Sequence, residues 1–285
     1  MKNLAYYNGK ISEIEEMMIP FNDRSSYFGD GCYDATYTRN HVVHDLEPHM
    51  DRFYRSAALL DIPVPMEKAE LMSLIRDLVR KVDDGEQFVY WQLSRGTALR
   101  GHAYGDKTLT PNLSITLKPC KTEDTYIPIG AITVEDTRFY HCNIKTLNLL
   151  PNVLAAEKAR AAGCGEAILY RIMDGKTRVT ECAHSNIHIL KDGVFRTAPL
   201  DNLILPGIAR ANLIRACGEL GIPVKEEAFS LEEMMDADEV IHSSCGSFCV
   251  PIDVIDGENV GGRDAGTLKK LQDHLVAEFT AATEV

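Results

Sequence analysis

The chain has 285 residues, of which 45% are hydrophobic and 25% charged, proportions typical of a globular protein with a sizeable core. Its formal net charge of −12 argues against nucleic acid or an anionic membrane surface as a partner. Eight cysteines show no CxxC pair and no regular spacing, which predicts free thiols and a cytoplasmic location. The first twenty residues lack the pattern of a signal peptide, and no apolar run reaches transmembrane length.

The first part of the chain alternates short strand patterns with helical ones. Asn8-Gly9 is a strong turn signal within 3–19 and predicts a hairpin. A second hairpin is predicted around Arg39-Asn40, and a helix is predicted to start near Pro48, with apolar residues recurring on one face. The remaining predicted elements are a helix over 66–82 and strands over 87–95 and 112–117.

A polar stretch near mid-chain predicts a linker at 119–125, between a small domain (1–118) and a large domain (126–285). The large domain is predicted to contain strands over 131–136, 140–145, 167–170, 223–226 and 239–242, and helices over 151–162, 207–220 and 231–235. Because strands and helices mix without strict alternation, the sequence predicts two α/β units of α+β character. Neither Gly-x-Gly pair has the context of a dinucleotide-binding turn.

One lysine has an unusual setting. Lys145 lies between an apolar run and a predicted helix start, with no carboxylate within five residues on either side. A lysine deprived of solvent and of a counter-charge gives up its proton more readily and can attack an aldehyde. The alternative from the residues alone is a surface lysine at a strand end.

A second motif lies downstream. It runs Thr180-Glu-Cys-Ala-His-Ser-Asn186-Ile-His188, then Phe195-Arg-Thr197, then Leu205-Pro-Gly-Ile-Ala-Arg210. Together with Lys145 it resembles the signature of the class IV pyridoxal-phosphate aminotransferases, which have fold type IV, and the resemblance extends from Tyr7 to Gly257. Two positions depart from the family pattern: His188 replaces an aromatic residue, and Ala209 replaces a threonine.

The resemblance implies pyridoxal 5'-phosphate as the cofactor. Lys145 is then the residue of the internal aldimine and the base that moves the substrate Cα proton. Glu181 is the partner that keeps the pyridine nitrogen protonated, so that the ring accepts electrons from the substrate. Arg138 aligns with a residue that contacts the phenolic oxygen of the cofactor in D-amino-acid aminotransferases.

A phosphate site is indicated by helix physics as well as by the resemblance. Gly207, Ile208 and Ala209 precede or begin a predicted helix, whose free N–H groups and dipole attract an anion. The resemblance adds Arg52 as a phosphate-binding arginine. The small, polar turn Ser244-Cys245-Gly246 is suited to complete the phosphate site.

Three residues are predicted to select the substrate. Arg100 can bind a carboxylate with two hydrogen bonds, and His102, two residues on, lies on the same side of an extended chain as Arg100. Within the family, D-amino-acid aminotransferases bind the substrate carboxylate with such an Arg-x-His pair, contributed by the neighbouring subunit, and with a tyrosine, here Tyr33. The resemblance therefore implies a homodimer with the active site at the subunit interface, and ping-pong transfer between a D-amino acid and a 2-oxo acid.

Other hypotheses remain open at this point. A branched-chain L-amino-acid aminotransferase would use the same cofactor but lacks the Arg-x-His pair. An aminodeoxychorismate-type lyase is a third family member, and Gly29-Asp-Gly-Cys32 resembles its turn. A cofactor-free binding protein on the same scaffold is an alternative outside this enzymology. No metal site is predicted, because the spacing of His41, His44 and His49 matches no common zinc pattern. Cys245 and Cys249 lack the His–acid partners of a nucleophile.

Overall fold

The computed structural model describes residues 1–105 and 109–284, and the chain divides into two units. Unit 1 comprises Met1–Thr122, Ile144–Asn148 and the C-terminal segment from Thr280, and unit 2 comprises Glu123–Asn143 and Leu149–Phe279. The sequence-based boundaries, 1–118 and 126–285, remain a prediction, although the structure groups the short Lys145 segment with unit 1. Among the described residues, no helix has the length and apolar character needed to cross a membrane.

Unit 1 combines helices with one antiparallel sheet. Its helices are α1 (Arg24–Phe28), α2 (Leu46–Leu59) and α3 (Lys68–Val79), with one turn of 3-10 helix at Ile14–Glu16. Its strands are β1 (Leu4–Tyr7), β2 (Lys10–Ser12), β3 (Gly31–Arg39), β4 (Val42–Val43), β5 (Gln87–Ser94) and β6 (Asn112–Pro119). In the part of the chain that the structure describes, these strands form a six-stranded sheet in the order β2-β1-β6-β5-β3-β4.

The turns of unit 1 follow from residues that tolerate a left-handed backbone. Asn8 and Gly9 have φ of 46° and 92°, as a tight hairpin turn requires, and β1 pairs with β2. Asn40 and His41 have φ of 53° and 59°, and β3 pairs with β4 across this turn. Both predicted hairpins are confirmed.

The core of unit 1 lies where α2 and α3 pack on the sheet. The apolar face of α2 buries Met50, Phe53 and Ala57, at the helical spacing that the sequence predicted. These side chains belong to one cluster with Trp91 of β5 and Ile75 of α3. Since α2 follows β4 directly and β4 pairs with β3, the polar residues of α2 are held next to the β3 side chains.

Unit 2 contains a larger sheet with helices. Its strands are β7 (Ile129–Glu135), β8 (Glu166–Met173), β9 (Lys176–Cys182), β10 (Asn186–Lys191), β11 (Val194–Thr197), β12 (Val224–Glu226), β13 (Glu239–Ser243), β14 (Val250–Ile255) and β15 (Glu258–Asn259). Its helices are α4 (Leu150–Ala161), α5 (Ile208–Glu219), α6 (Leu231–Met235) and α7 (Ala265–Ala282), which extends to the segment grouped with unit 1. Within the described residues the sheet order is β12-β11-β10-β13-β14-β7-β8-β9, with β15 beside β14.

The central strands of unit 2 are buried on both faces. On β13, Val240 joins one apolar cluster, whereas its neighbour Ile241 joins another that contains residues of α5 and α7. Alternate side chains of a strand point to opposite faces, and all five residues of β13 are buried, so β13 packs on both faces. Parallel pairs (β7 with β8, β7 with β14) and antiparallel pairs occur in the same sheet. The predicted α+β class is confirmed.

One predicted element is wrong. Residues 140–145 do not form a strand, because loop contacts, rather than a neighbouring strand, satisfy the backbone there. The Cys142 N–H donates to the Asn202 carbonyl at 3.0 Å, and the Asn202 amide donates to the Tyr140 carbonyl at 3.2 Å. The chain at this point is therefore an irregular loop.

Candidate active site

Lys145 lies alongside β3. The Tyr33 N–H donates to the Lys145 carbonyl at 2.9 Å, and the Leu147 N–H donates to the Gly31 carbonyl at 3.1 Å. A Cβ on Gly31 would meet the Leu93 carbonyl oxygen at 2.2 Å and a Leu147 methyl at 2.8 Å. Glycine is thus required at position 31, because β5 and the segment that carries Lys145 pack against it there. This close packing holds Lys145 in position.

The amine of Lys145 faces an aromatic ring. Its Nζ lies 4.4 Å from the centroid of the Tyr33 ring, and the lysine is half-buried. Among the residues that the structure describes, no carboxylate forms an ion pair with this amine. An amine with an aromatic neighbour and no counter-ion is suited to covalent bonding with an aldehyde. The structure brings Lys145 and Tyr33 together, as a shared substrate site would require.

Arg52 is fixed by a buried carboxylate. Its Nε and Nη2 donate to Asp34 at 2.9 and 2.7 Å, and His49 Nδ1 lies 2.8 Å from the same carboxylate. Asp34 is fully buried. Burial alone would raise the pKa of Asp34, but the Arg52 and His49 charges and hydrogen bonds outweigh it and hold the pKa well below its usual range. Asp34 therefore stays ionised and orients the Arg52 guanidinium on α2.

Arg100 and His102 lie on the loop that follows β5, and both side chains are exposed. The Arg100 guanidinium carbon is 5.4 Å from the Phe28 ring centroid, and the His102 ring is 5.3 Å from it. Within residues 1–105 and 109–284, neither forms a hydrogen bond, ion pair or ring contact with Tyr33 or Lys145. The structure brings the pair together on one aromatic ring and leaves their polar atoms available for a carboxylate.

In unit 2, Arg138 is held by two acids. Asp136 accepts hydrogen bonds from Arg138 N, Nε and Nη2 at 3.0, 2.9 and 2.8 Å, and Arg138 Nη1 donates to Glu181. Asp136 also binds Arg171 at 3.1 Å and the Thr180 hydroxyl at 3.0 Å. The two arginines hold the pKa of this carboxyl at about 2, although burial acts in the opposite direction. Asp136 therefore stays ionised and holds the Arg138 guanidinium in place.

Glu181 is buried and has limited acceptor capacity left. Its Oε1 accepts from Arg138, and its Oε2 accepts from Asn186 Nδ2 at 3.0 Å and from Leu205 N at 2.9 Å. Burial raises the pKa of Glu181, while Arg138 and the Leu205 amide oppose that rise. A carboxylate offers about four acceptor positions, and three are used. One further cationic donor would both complete its hydrogen bonding and stabilise its charge, as a protonated pyridine nitrogen would.

Asn186 connects Glu181 to the start of α5. Its amide donates to the Leu205 carbonyl at 3.1 Å, and a Cβ on Gly207 would lie 2.0 Å from its Oδ1. Gly207 is the N-cap residue of α5 and provides no side-chain cap. The first N–H groups of an α-helix have no acceptor within it, so those of Ile208 and Ala209 are available to a phosphate. The structure thus brings Glu181 and the predicted phosphate turn together.

The turn at Ser244–Gly246 is tight and polar. Ser244 and Ser247 share a hydroxyl hydrogen bond at 2.7 Å, and the Gly246 N–H donates to Ser244 Oγ at 3.3 Å. The preceding residue, Ser243, lies 2.8 Å from Nε2 of His188. The other His188 nitrogen lies 2.9 Å from the Thr197 hydroxyl. His188, which departs from the family pattern, is therefore fully hydrogen-bonded, and it stacks on Phe195 with centroids 5.1 Å apart.

Two buried histidines of unit 2 should make the stability of the folded protein depend on pH. His188 and His242 are buried, and burial lowers both pKa values, that of His242 to about 3. Neither ring nitrogen of His242 has a hydrogen-bond partner among the described residues. As pH falls below about 6.5, the unfolded chain takes up protons that the folded chain does not. These two histidines should therefore leave the free energy of unfolding unchanged above pH 6.5 and lower it progressively as the pH falls from 6.5 to 3.

We expect His242→Leu to remove part of that decline. Each such histidine costs about 2 kcal/mol at pH 5, from about 1.4 kcal/mol per pH unit below its unfolded pKa. Urea unfolding at pH 7.5 and pH 5.0 should show a smaller loss in the variant, by about that amount. The exposed His141→Asn serves as the control and should lose as much as the wild type. An equal loss in wild type and His242→Leu would contradict the assignment.

Several residues that shape the site were not found from the sequence. Asp34, His49 and Asp136 were not assigned roles, although each buried acid lies two to eighteen positions from the arginine it holds. An acid near an arginine is too common in sequences to be a signal. Asn186 was matched as part of the motif, but its link to Gly207 required the structure.

Comparison with known proteins agrees with this geometry. The model of the class IV amino-transferase family matches residues 31–255. A D-alanine aminotransferase of Bacillus licheniformis is 36% identical, over 97% of this chain and 98% of its own. A D-alanine aminotransferase of Listeria monocytogenes is 39% identical, over 96% of both chains.

Solved structures give the same fold. The branched-chain amino acid aminotransferase of Escherichia coli superposes with a TM-score of 0.88 at 25% identity, covering 100% of this chain and 97% of the other. That of Thermoproteus uzoniensis, solved with norvaline, also gives 0.88 at 25% identity, covering 99% and 96%. The fold is fold type IV.

The chain belongs to the class IV aminotransferases, and its cofactor is pyridoxal 5'-phosphate. The residues present fit that group on two structural grounds. Glu181 retains an acceptor position, and Gly207 leaves the start of α5 open where a Cβ would clash with Asn186.

We expect Glu181→Gln to keep the cofactor bound and to slow proton transfer about a hundredfold or more. The amide has nearly the same shape but cannot hold a proton on the pyridine nitrogen. Single-turnover absorbance changes with D-alanine would measure the effect, with total cofactor content as the control. Rates close to those of the wild type would show that Glu181 is not the pyridine partner.

Proposed function

We propose that this enzyme transfers the amino group between a D-amino acid and a 2-oxo acid by a ping-pong mechanism. The observation that supports the D hand is the Arg100-x-His102 pair, whose side chains both contact Phe28 and form no hydrogen bond or ion pair with the described residues. The names of the relatives that match nearly the whole chain support the same choice.

The chemistry divides between the cofactor and the chain. When bound, pyridoxal phosphate supplies an electron sink that stabilises negative charge at the substrate Cα. Lys145 would hold the cofactor covalently, and its free amine would remove and return the Cα proton. Glu181 would keep a proton on the pyridine nitrogen. Arg138, whose guanidinium Asp136 fixes, would contact the phenolic oxygen.

Seven residues are proposed for the phosphate site. The N–H groups of Ile208 and Ala209 follow Gly207 at the positive end of α5. Ala209 lacks the hydroxyl that is usual in the family, so we infer that the backbone is the main donor at this position. Arg52 adds a charge, and the Ser244-Cys245-Gly246 turn adds hydroxyl and amide donors.

The substrate carboxylate is assigned to three side chains. Arg100 donates two charge-assisted hydrogen bonds, His102 adds one from its ring, and Tyr33 adds one from its hydroxyl. Holding the carboxylate from this side determines which hydrogen of Cα faces the Lys145 amine, and therefore the D hand.

We further propose that the enzyme is a homodimer whose active site lies at the subunit interface, with Arg100 and His102 reaching the partner's substrate. The support is the exposure of this loop together with its apolar surroundings. Phe21 and Leu99 are 88% and 89% exposed, and the Ala98 N–H donates to the Asn22 carbonyl at 3.1 Å, which places them on adjacent chain segments. Large exposed apolar side chains grouped in this way are typical of interfaces.

The cytoplasm is the proposed location. All eight cysteines are free thiols in the structure, which is usual in a reducing compartment. Substrates are small amino and oxo acids, and we propose no nucleic-acid or membrane partner, in line with the net charge of −12.

A panel of enantiomer pairs tests the proposed function. The purified holoenzyme would be given D- and L-alanine, glutamate and leucine, each with 2-oxoglutarate or pyruvate as acceptor, and oxo-acid formation followed. Turnover of the D-enantiomers only is the expected result. Preference for L-leucine would instead assign the branched-chain L-amino-acid reaction, the second candidate, which the names of the structural neighbours favour.

A further inference from the structure

We propose that Arg24 is a positioning residue that sets the substrate-carboxylate loop, defined as residues 97–105. Arg24 is 3% exposed, and its Nη1 and Nη2 donate to the carbonyls of Gly101 at 2.7 Å and His102 at 3.0 Å. Gly101 directly follows Arg100, and the second carbonyl belongs to His102 itself. The inference rests on the proposed role of Arg100 and His102 in binding the carboxylate.

The Arg24 guanidinium is itself fixed. Its Nε donates to Asp30 at 2.7 Å, and its guanidinium carbon lies 4.9 Å from the Phe28 ring centroid, one helical turn along α1. All three guanidinium nitrogens therefore have a defined partner. Lysine has one nitrogen and cannot bind Asp30 and two carbonyls in the same planar arrangement.

Phe28 connects the anchor to the side chains that bind substrate. The same ring contacts Arg24, Arg100 and His102. Among the described residues, the Arg100 and His102 side chains contact no ring, hydrogen-bond partner or ion-pair partner other than Phe28, so their orientation depends on this ring and on the loop backbone. Arg24 controls both, through its hydrogen bonds and its stacking.

Asp30 extends the anchor to the turn that precedes Tyr33. It lies between Gly29 and Gly31, and it binds Arg95 Nε at 3.0 Å as well as Arg24. Arg95 in turn donates to the Leu60 carbonyl at 2.7 Å. The Asp30 side chain therefore connects the turn before Tyr33 to Arg24, which holds the Arg100 loop. A small displacement of Arg24 would misplace the carboxylate of the substrate.

The test compares Arg24→Lys and Arg24→Met with Arg95→Met in the holoenzyme. Arg95→Met removes an arginine from the same Asp30 and a contact 4.1 Å from the Tyr104 ring centroid. It leaves the Gly101 and His102 carbonyls bound to Arg24. We expect the Arg24 variants to raise KM for D-alanine about tenfold or more, with kcat changed by less than about threefold and cofactor absorbance unchanged. Arg95→Met should change KM less, for a similar loss of thermal stability. Equal KM changes in the Arg24 and Arg95 variants would overturn the proposal.

Two further measurements separate positioning from general damage. Adding Arg24→Lys to a variant that carries both Arg100→Ala and His102→Ala should cause no further loss, because the anchor acts through these two side chains; additive losses would overturn the proposal. Amide hydrogen exchange over 97–105 should be faster in Arg24→Lys without any substrate, and unchanged exchange would also overturn it. If the wild type did not turn over D-amino acids, the proposed function would fail while the exchange experiment still reported on the anchor.

Discussion

Replacing Lys145 with alanine is expected to abolish covalent attachment of the cofactor and to lower transamination about a thousandfold or more. The reason is that, in the proposed mechanism, one amine both holds the cofactor and moves the Cα proton. Its position beside the Tyr33 ring, with no carboxylate paired to it among the described residues, suits both tasks. The cofactor should remain bound noncovalently, since Glu181 and the start of α5 are unchanged.

Borohydride reduction followed by peptide mass spectrometry would check this prediction. In the wild type the added mass should lie on the peptide that contains Lys145, and the Lys145→Ala protein should carry none. Lys158→Ala is a suitable control, because Lys158 is an exposed residue of α4. Recovery of the label on a different lysine would show that Lys145 is not the residue that binds the cofactor covalently.

The second large effect is expected for Arg100→Ala, which should lower kcat/KM for D-alanine or D-glutamate by thirtyfold to several thousandfold. This range corresponds to about 2–5 kcal/mol for the loss of a charged partner. Absorbance of the bound cofactor should not change, because Arg100 lies on an exposed loop. His102→Ala should cost less, since a neutral donor is weaker than a guanidinium.

Arg80→Ala provides the matched control for Arg100→Ala, because Arg80 is an exposed arginine of unit 1 paired with Asp77 at 3.4 Å. It should keep wild-type kinetics. Full activity of Arg100→Ala towards D-amino acids would remove the basis for the D hand, whereas joint loss of folding and cofactor would indicate a structural role.

The elements that the sequence predicted well are those with a local cause. The Asn8-Gly9 hairpin follows from residues that accept positive φ, and α2 follows from the spacing of its buried face. The failed strand at 140–145 is apolar enough for a strand, but its hydrogen bonds go to Asn202, which lies sixty residues away and which no local pattern reveals.

The candidate site shows the same limit. The residues that would touch the cofactor were identified through a motif, because their spacing is shared with a family. The residues that hold them were not, since Asp34, Asp136 and Arg24 act through pairings formed only on folding. Such buried pairings carry no periodicity, and the partners of Asp34 and Arg24 lie on other segments of the chain.

The most direct test of the central claim is a single turnover of the holoenzyme with D-alanine and, separately, with L-alanine, without an acceptor. We predict that D-alanine converts the cofactor absorbance to that of the amine form and releases one equivalent of pyruvate, while L-alanine does neither at a comparable rate. Equal rates for the two enantiomers, or a faster reaction with L-alanine, would contradict the assignment of this enzyme to D-amino acids.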